Sequence, residues 1–178
     1  AHAGGGTATV TDGTTYQYSL DDGETWSDDV PSITNVGEVT YKVKAINSNY
    51  NDATAEGTLK VNPKEVTVKA NDVTKEYDGQ PAELAGATVT GLIGTDTVTY
   101  DVAFAVEDIT NVQTTADAII ASGAATQGNY SVTYQNGKLT ITKADFTVEA
   151  VDYEGTYDAA AHAGGGTATV TDGTTYQY

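Results

Sequence analysis

The stretch NYSVTYQNGKLTITKADFTVEA, residues 129–150, repeats in diverged form the stretch NYNDATAEGTLKVNPKEVTVKA, residues 49–70, at a spacing of 80 residues. Asparagine, tyrosine, glycine and leucine recur at the same places in the two copies. Apolar and polar residues alternate in both, and alternation with period two is typical of strands that bury one face. The sequence therefore predicts an all-β chain built from repeated modules of about 80 residues.

An exact repeat extends this pattern. Residues 1–18 and residues 161–178 both read AHAGGGTATVTDGTTYQY, so two diverged module types, A and B, are expected to alternate in a longer array. We predict that residues 1–63 are a module A that lacks its first strand, residues 64–144 a complete module B, and residues 145–178 the opening strands of the next module A. The connections between them are short, which predicts semi-rigid modules in an elongated rod.

Each module is predicted to hold about seven short strands in an immunoglobulin-like sandwich of two sheets. The alternation is clear in EVTYKVKA, residues 38–45, and in TVTYDVAFAV, residues 97–106. The dipeptides Asp12-Gly13 and Asn136-Gly137 stand between strand-like runs, where this kind of dipeptide is a strong signal for a hairpin. A β-grasp-like module with one helix is the alternative fold.

The composition argues against several classes of function. Among 178 residues there are 25 acidic and 8 basic side chains, which gives a net charge of -17. Such a chain is a poor partner for nucleic acid or an anionic membrane, because phosphate binding needs clustered Lys and Arg. The absence of cysteine excludes disulfides and thiolate metal sites. No apolar run reaches the ~18 residues of a membrane span, and no cofactor and no catalytic residue are predicted.

Two phrases of module B resemble the MBG or YDG-type repeats of bacterial surface adhesins. GNYSVTYQNGKLTITKA, residues 128–144, is similar to the end of such repeats, and KEYDGQPAE, residues 75–83, is similar to their opening. Module A departs from the pattern, because Ala159 stands where module B has Gly79. The resemblance implies a non-catalytic stalk, at a bacterial cell surface or secreted, that projects a binding domain; a host glycan or protein would then bind to other domains.

The acidic stretch SLDDGETWSDD, residues 19–29, carries the residues most open to a chemical interpretation. Its first part has the Asp-box pattern of sialidase-like propellers, but a propeller needs several blades and the pattern occurs once, which favours a stabilising turn. Carboxylates suit calcium, although the spacing is not that of an EF-hand loop; the calcium candidates are Asp21, Asp22, Asp28 and Asp29. Trp26 is the candidate for a glycan contact, in the alternative function of a glycan- or protein-binding sandwich.

A module A without its first strand is expected to seek one. The missing strand corresponds to DFTVEAVD, residues 145–152, in which Phe146, Val148 and Ala150 share an apolar face. A neighbouring copy could insert this segment into the vacant sheet edge by β-strand addition. Such a contact is heterologous and propagates head to tail. The predicted partners are therefore other copies of the same repeat.

Overall fold

The computed structural model describes residues 1–177, and fifteen strands account for their regular structure. These residues contain no helix, so the prediction of an all-β fold is confirmed and the β-grasp-like alternative, which requires a helix, does not describe them. For the same residues, no helical segment is available that could span a membrane.

Module B forms a sandwich of two four-stranded sheets. One sheet has the order β11-β12-β6-β8 and the other has the order β7-β13-β10-β9. The strands are β6 (Lys64–Ala70), β7 (Val73–Glu76), β8 (Ala87–Thr90), β9 (Asp101–Phe104), β10 (Gln113–Ser122), β11 (Thr126–Gln127), β12 (Tyr130–Gln135) and β13 (Gly137–Thr142).

The opening strand of module B lies inside a sheet. β6 pairs in parallel with β12, where Val66 is opposite Val132, and antiparallel with β8, where Val68 is opposite Val89. Val66, Val68 and Ala70 alternate toward the core and are at most 1% exposed. Because burying a valine side chain stabilises a fold by roughly 1.5–3 kcal/mol, this strand is a large part of the stability of the module.

The opening and closing strands change sheets together. β6 and β12 are parallel neighbours in one sheet, and their continuations β7 and β13 are parallel neighbours in the other. At the crossing a Cβ on Gly137 would lie 2.8 Å from the carbonyl oxygens of Ala70 and Asn71, so the two backbones meet too closely for a side chain. The hairpin predicted at Asn136-Gly137 is therefore wrong, because these residues carry the chain from one sheet into the other.

Residues 1–63 form a smaller structure. A three-stranded sheet has the order β2-β4-β5, and β1 and β3 form a separate pair. Tyr18, Tyr41 and Val43 are the buried hydrophobic residues described here, each 8% exposed, whereas ten such residues form the core cluster of module B. The strands are β1 (His2–Ala3), β2 (Thr15–Ser19), β3 (Ser32–Ile33), β4 (Gly37–Asn47) and β5 (Tyr50–Val61).

The C-terminal part of the chain contains one antiparallel pair, β14 (Val148–Val151) and β15 (Gly165–Ala168). This pair matches the β6 and β8 pair of module B: Val148 is opposite Ala168, as Val68 is opposite Val89. The opening strands of a module thus adopt the same pairing in both places. The boundaries proposed for the three segments remain predictions.

Candidate functional site

An open strand position lies at the outer edge of β5, and we use this name for the cleft between β5 and residues 5–8. β5 pairs with β4 along its whole length and has no strand on its other edge among residues 1–177. The cleft has a volume of about 260 Å³, and its wall and floor comprise Gly6, Thr7, Ala8, Thr9, Tyr16, Val43, Ala45, Ala53, Thr54 and Ala55. In module B the corresponding space is filled by β6, between β12 and β8.

The exposure of β5 reflects this empty space. Tyr50 is 60% exposed, whereas the equivalent Tyr130 on β12 is 5% exposed. Residues 51–55 are all exposed, whereas the equivalent segment of β12 includes the buried Val132. Two segments of one repeated sequence therefore differ in burial, and the difference coincides with the presence of a strand beside them.

The exact repeat provides the sharpest comparison, because one sequence adopts two conformations. Residues 165–168 form β15 against β14, but the identical residues 5–8 form no strand. The turn that follows is the same in both copies: the Ala8 N–H donates to the Tyr16 hydroxyl at 2.9 Å, and the Ala168 N–H donates to the Tyr176 hydroxyl at 3.1 Å. The two copies thus differ in the strand beside them and not in local sequence.

The hydroxyl of Tyr41 occupies the hydrogen-bonding groups that a strand would use. The Gly5 N–H donates to the Tyr41 oxygen at 3.1 Å, and the Tyr41 hydroxyl donates to the Gly5 carbonyl at 2.9 Å. In the second occurrence of the exact repeat, residues 161–178, the equivalent Gly165 is paired with Val151 of β14. One side chain therefore satisfies a backbone position that would otherwise remain unpaired.

The residues predicted for strand complementation lie on a segment with exposed apolar side chains. Phe146 is 55% exposed and Val148 on β14 is 61% exposed, whereas the equivalent Val66 and Val68 on β6 are at most 1% exposed. Ala150, the third predicted residue, is also exposed. Within the described chain β14 pairs with β15 alone, so its other edge has no strand. Among residues 1–177, β14 and β5 belong to different sheets and do not pair with one another.

The connection between module A and module B is fixed by one asparagine, and we call this contact the Asn129 junction. The Val36 N–H donates to Asn129 Oδ1 at 2.8 Å, and Asn129 Nδ2 donates to Asn35 Oδ1 at 3.1 Å. The Lys64 N–H donates to the Asn129 carbonyl at 2.9 Å. A loop of module A, the first residue of β6 and the start of β12 therefore meet at a single residue. The sequence does not predict this role, although Asn49 and Asn129 recur at one repeat position.

The acidic stretch folds as a turn held by Asp21. The Ser19 hydroxyl donates to Asp21 Oδ1 at 2.6 Å, the Thr25 hydroxyl donates to Oδ2 at 2.6 Å, and the Thr25 N–H donates to Oδ1 at 2.9 Å. These hydrogen bonds, that from Ser19 first, lower the pKa of Asp21 from 3.8 to about 2. The carboxylate is thus an integral part of the turn, as the stabilising interpretation of this stretch requires.

The remaining calcium candidates do not converge. Asp22 forms an ion pair with Lys42 at 2.6 Å, and Asp28 accepts a hydrogen bond from Gln17 at 3.3 Å. The Asp29 backbone N–H donates to the Ser27 hydroxyl. Throughout residues 1–177 no three His, Cys, Asp or Glu side chains are grouped as a metal site would need. Calcium binding by these residues stays a prediction without a coordination geometry.

Trp26, the glycan candidate, is half-buried beside the same turn. Its indole N–H donates to the Gly23 carbonyl at 3.0 Å. The ammonium of Lys44 lies 4.5 Å from the centre of the indole ring, in the geometry of a cation–π contact. One face of the ring is therefore covered by Lys44. A glycan contact at Trp26 remains a prediction that a glycan array would test.

The Tyr77-Asp78-Gly79 phrase forms a tight turn after β7. Lys75 Nζ lies 2.7 Å from Asp78 Oδ1 and donates to the carbonyls of Gln80 and Pro81. The hydrogen bond from Lys75, followed by that from the Gln80 N–H, lowers the pKa of Asp78. Gly79 takes a φ of 76°, which glycine adopts without strain.

The matching turn at Asp158 keeps this geometry with a different residue. The Ala160 N–H donates to Asp158 Oδ1 at 2.9 Å, as the Gln80 N–H donates to Asp78 Oδ1 at 2.9 Å. Ala159 takes a φ of 62° in the position of Gly79. The conformation that favours glycine in one module is therefore imposed on an alanine in the other.

Comparison with known families supports the resemblance seen in the sequence. The family model described as MBG domain (YGX type) matches residues 66–140, which is somewhat less than half of the chain. No curated protein and no solved structure is significantly similar to the chain. The match begins in the central strand β6 and ends in β13, within the two-sheet sandwich and its YDG turn. Residues 66–140 are therefore similar to an MBG domain of the YGX type.

Proposed function

We propose that this chain is a non-catalytic structural segment of an extracellular stalk, in an adhesin at a bacterial cell surface or in a secreted relative. MBG domains are repeat modules, and the residues on both sides of the match repeat parts of it or of each other. Sandwich modules joined end to end act as spacers that hold other domains at a distance. The surface charge of -17 keeps such a spacer hydrated and soluble.

The observation that carries this proposal is the Asn129 junction. A stalk must resist bending between its modules, and a short connection alone limits the angle between them without fixing it. At this junction the side chain and carbonyl of Asn129 bind Asn35, Val36 and Lys64. The hydrogen bonds to Asn35 and Val36 cross between the modules and stabilise the arrangement by about 1 kcal/mol net each, so they restrict bending between module A and module B, whereas the bond from Lys64 lies within module B.

Pulsed electron paramagnetic resonance between two spin labels tests how rigidly module A and module B are held relative to each other. The chain has no cysteine, so Ser48→Cys and Glu83→Cys give two unique exposed sites for spin labels, one in each module. We expect one narrow distance distribution, and a broader one after Asn129→Ala. Asn49→Ala is the matched control, because it removes the repeat-equivalent asparagine without touching this junction. A distribution in the labelled parent as broad as in Asn129→Ala would contradict the stalk.

Head-to-tail association is the second part of the proposal. The open strand position lacks a strand, and β14 presents an exposed apolar face whose equivalents fill this place in module B. We propose that β14 of one copy complements the sheet of another by β-strand addition. Hydrogen exchange at increasing protein concentration measures this, with protection expected to appear in residues 5–8 and residues 51–55. Exchange at these amides that is independent of concentration would contradict it.

A further inference from the structure

The groups that form the Asn129 junction occur in the chain a second time, but apart. The motif ITNV is found at residues 33–36 and again at residues 109–112, and Asn49 repeats Asn129. The first set is assembled within the chain. In the second set, the side chains of Asn49 and Asn111 make no hydrogen bond within the described chain.

The position of the second set shows which molecule could complete it. Gln113 at the start of β10 is opposite Ile141 near the end of β13, so residues 111–112 lie beside the point where the chain leaves module B. In the first set, the partner asparagine belongs to the module that follows the ITNV motif. Only a module A that follows residue 144 in space can therefore present Asn49 to residues 111–112.

We propose that a second copy of this chain supplies that module A: its Asn49 side chain binds the Val112 N–H and the Asn111 side chain of the first copy. Residues 144–151 of the first copy enter the open strand position of the second copy at the same time. This inference rests on the proposed head-to-tail function and names its contact surface and register. This contact between two molecules repeats the arrangement of the Asn129 junction, with Asn49 in the place of Asn129.

The strand pairing expected at each edge of the open strand position can be taken from a pairing within the chain, and the two pairings give the same entering segment. In module B, Tyr130 is opposite Lys64. Tyr50 is the equivalent of Tyr130 and Ala144 the equivalent of Lys64 at the repeat spacing of 80 residues, so Ala144 is expected opposite Tyr50 of the second copy. The pair Val148 and Ala168, moved to the identical stretch at the start of the chain, places Val148 opposite Ala8. Both edges of the open strand position thus select the same stretch of backbone.

The two sides of the docking can be disabled separately. Asn49→Ala removes the side chain contributed by the copy that receives the strand. Val112→Pro removes the N–H contributed by the copy that donates the strand. Asn111→Ala is a milder change on the same side as Val112, for use if Val112→Pro disturbs the loop. Each change is expected to weaken self-association at least about fivefold in sedimentation equilibrium, from the loss of at least one net hydrogen bond. Asn129→Ala, which alters the matched junction within the chain, is expected to leave self-association unchanged.

Mixing gives the decisive result. In a mixture of Asn49→Ala and Val112→Pro, one intact junction can form, with the first variant as strand donor and the second as acceptor. We therefore expect a heterodimer with the affinity of the unaltered chain, and longer species only at higher concentration, because the remaining surfaces of the heterodimer are both altered. Self-association that keeps the affinity of the unaltered chain in both variants would overturn the role of Asn49 while leaving strand complementation in place. An unaltered chain that stays monomeric at millimolar concentration overturns the docking, without affecting the rigidity measured at the Asn129 junction.

Discussion

Asp21 shows how one carboxylate can organise a turn at the surface. Three hydrogen bonds from Ser19 and Thr25 favour its charged form, and its pKa falls from 3.8 to about 2. A group whose pKa is lower in the folded state stabilises the fold above its unfolded pKa and loses this effect as the pH falls through the folded value. The contribution of Asp21 is therefore complete above about pH 4 and lost near pH 2.

Replacing Asp21 by asparagine is expected to destabilise residues 1–63 at neutral pH. The destabilisation should shrink between pH 4 and pH 2, because the parent loses its charged acceptor over that range. Trp26 lies beside the turn and is the single tryptophan, so its fluorescence in urea titrations at several pH values reports the effect. Asp29→Asn is the matched control, and a difference that does not vary with pH would show that the charge of Asp21 is irrelevant.

Ala159 is a second residue whose environment makes a definite prediction. A residue with a Cβ pays about 1–2 kcal/mol for the left-handed conformation that Ala159 adopts. Ala159→Gly is therefore expected to stabilise the turn by about 1 kcal/mol, since glycine also loses more freedom on folding. Slower hydrogen exchange of the Ala160 N–H, by about fivefold, would show it.

The reverse change in module B serves as the control. Gly79→Ala places a Cβ at a φ of 76° and is expected to destabilise module B by a similar amount in urea unfolding. Equal stability of this variant and its parent would mean that the turn can change its conformation without cost.

Local sequence patterns do not predict the contacts of side chains that bind distant parts of the chain. The sequence predicts that Val66, Val68 and Ala70 share a face, because alternation is a local property, and these residues are buried. It does not predict that Tyr41 binds Gly5 or that Asn129 binds Val36, because both contacts join residues far apart in the chain. A polar residue repeated at the spacing of the modules was the one available signal for Asn129.

Strands are predicted by the local sequence, whereas their pairing with distant strands is not. The alternating run at residues 38–45 is predicted to be a strand and lies within β4. The dipeptide Asn136-Gly137 signals a turn, yet the parallel pairing of β12 with β6 and of β13 with β7 makes it a crossing between sheets. Turn chemistry depends on neighbours in sequence, whereas the parallel partners of β12 and β13 are strands far away in the chain, as in the pairs Tyr130 with Lys64 and Leu139 with Val73.

Removal of residues 161–178 is expected to strengthen self-association. β15 covers one edge of β14, and the acceptor must replace it with the identical residues 5–8 of another copy. Without β15 this exchange is unnecessary and β14 has both edges free. Light scattering over a concentration series should show larger species at lower concentration for the shortened chain. An unchanged concentration dependence would mean that the hairpin does not compete with docking.

At the scale of the whole molecule, charge opposes association. Every copy carries a net charge of -17, so two copies repel one another at a distance, and salt screens this repulsion. Self-association is therefore expected to strengthen several-fold between ~0.01 and ~0.5 M sodium chloride. Sedimentation at a fixed protein concentration measures it. Association that weakens with salt would require contacts between opposite charges, which the proposed docking does not include.

The two conformations of the exact repeat bear on how fast copies could join. Residues 5–8 and residues 165–168 have the same sequence, so the acceptor can replace the backbone hydrogen bonds lost from β15 once the Tyr41 hydroxyl releases Gly5. The exchange can proceed one residue at a time. The outer edge of β5 in the acceptor pairs first with the free edge of β14, and residues 5–8 of the acceptor then replace β15 stepwise on the other edge. Assembly on this route needs no unfolded intermediate, and a growing filament could equally release its last subunit by the same small steps.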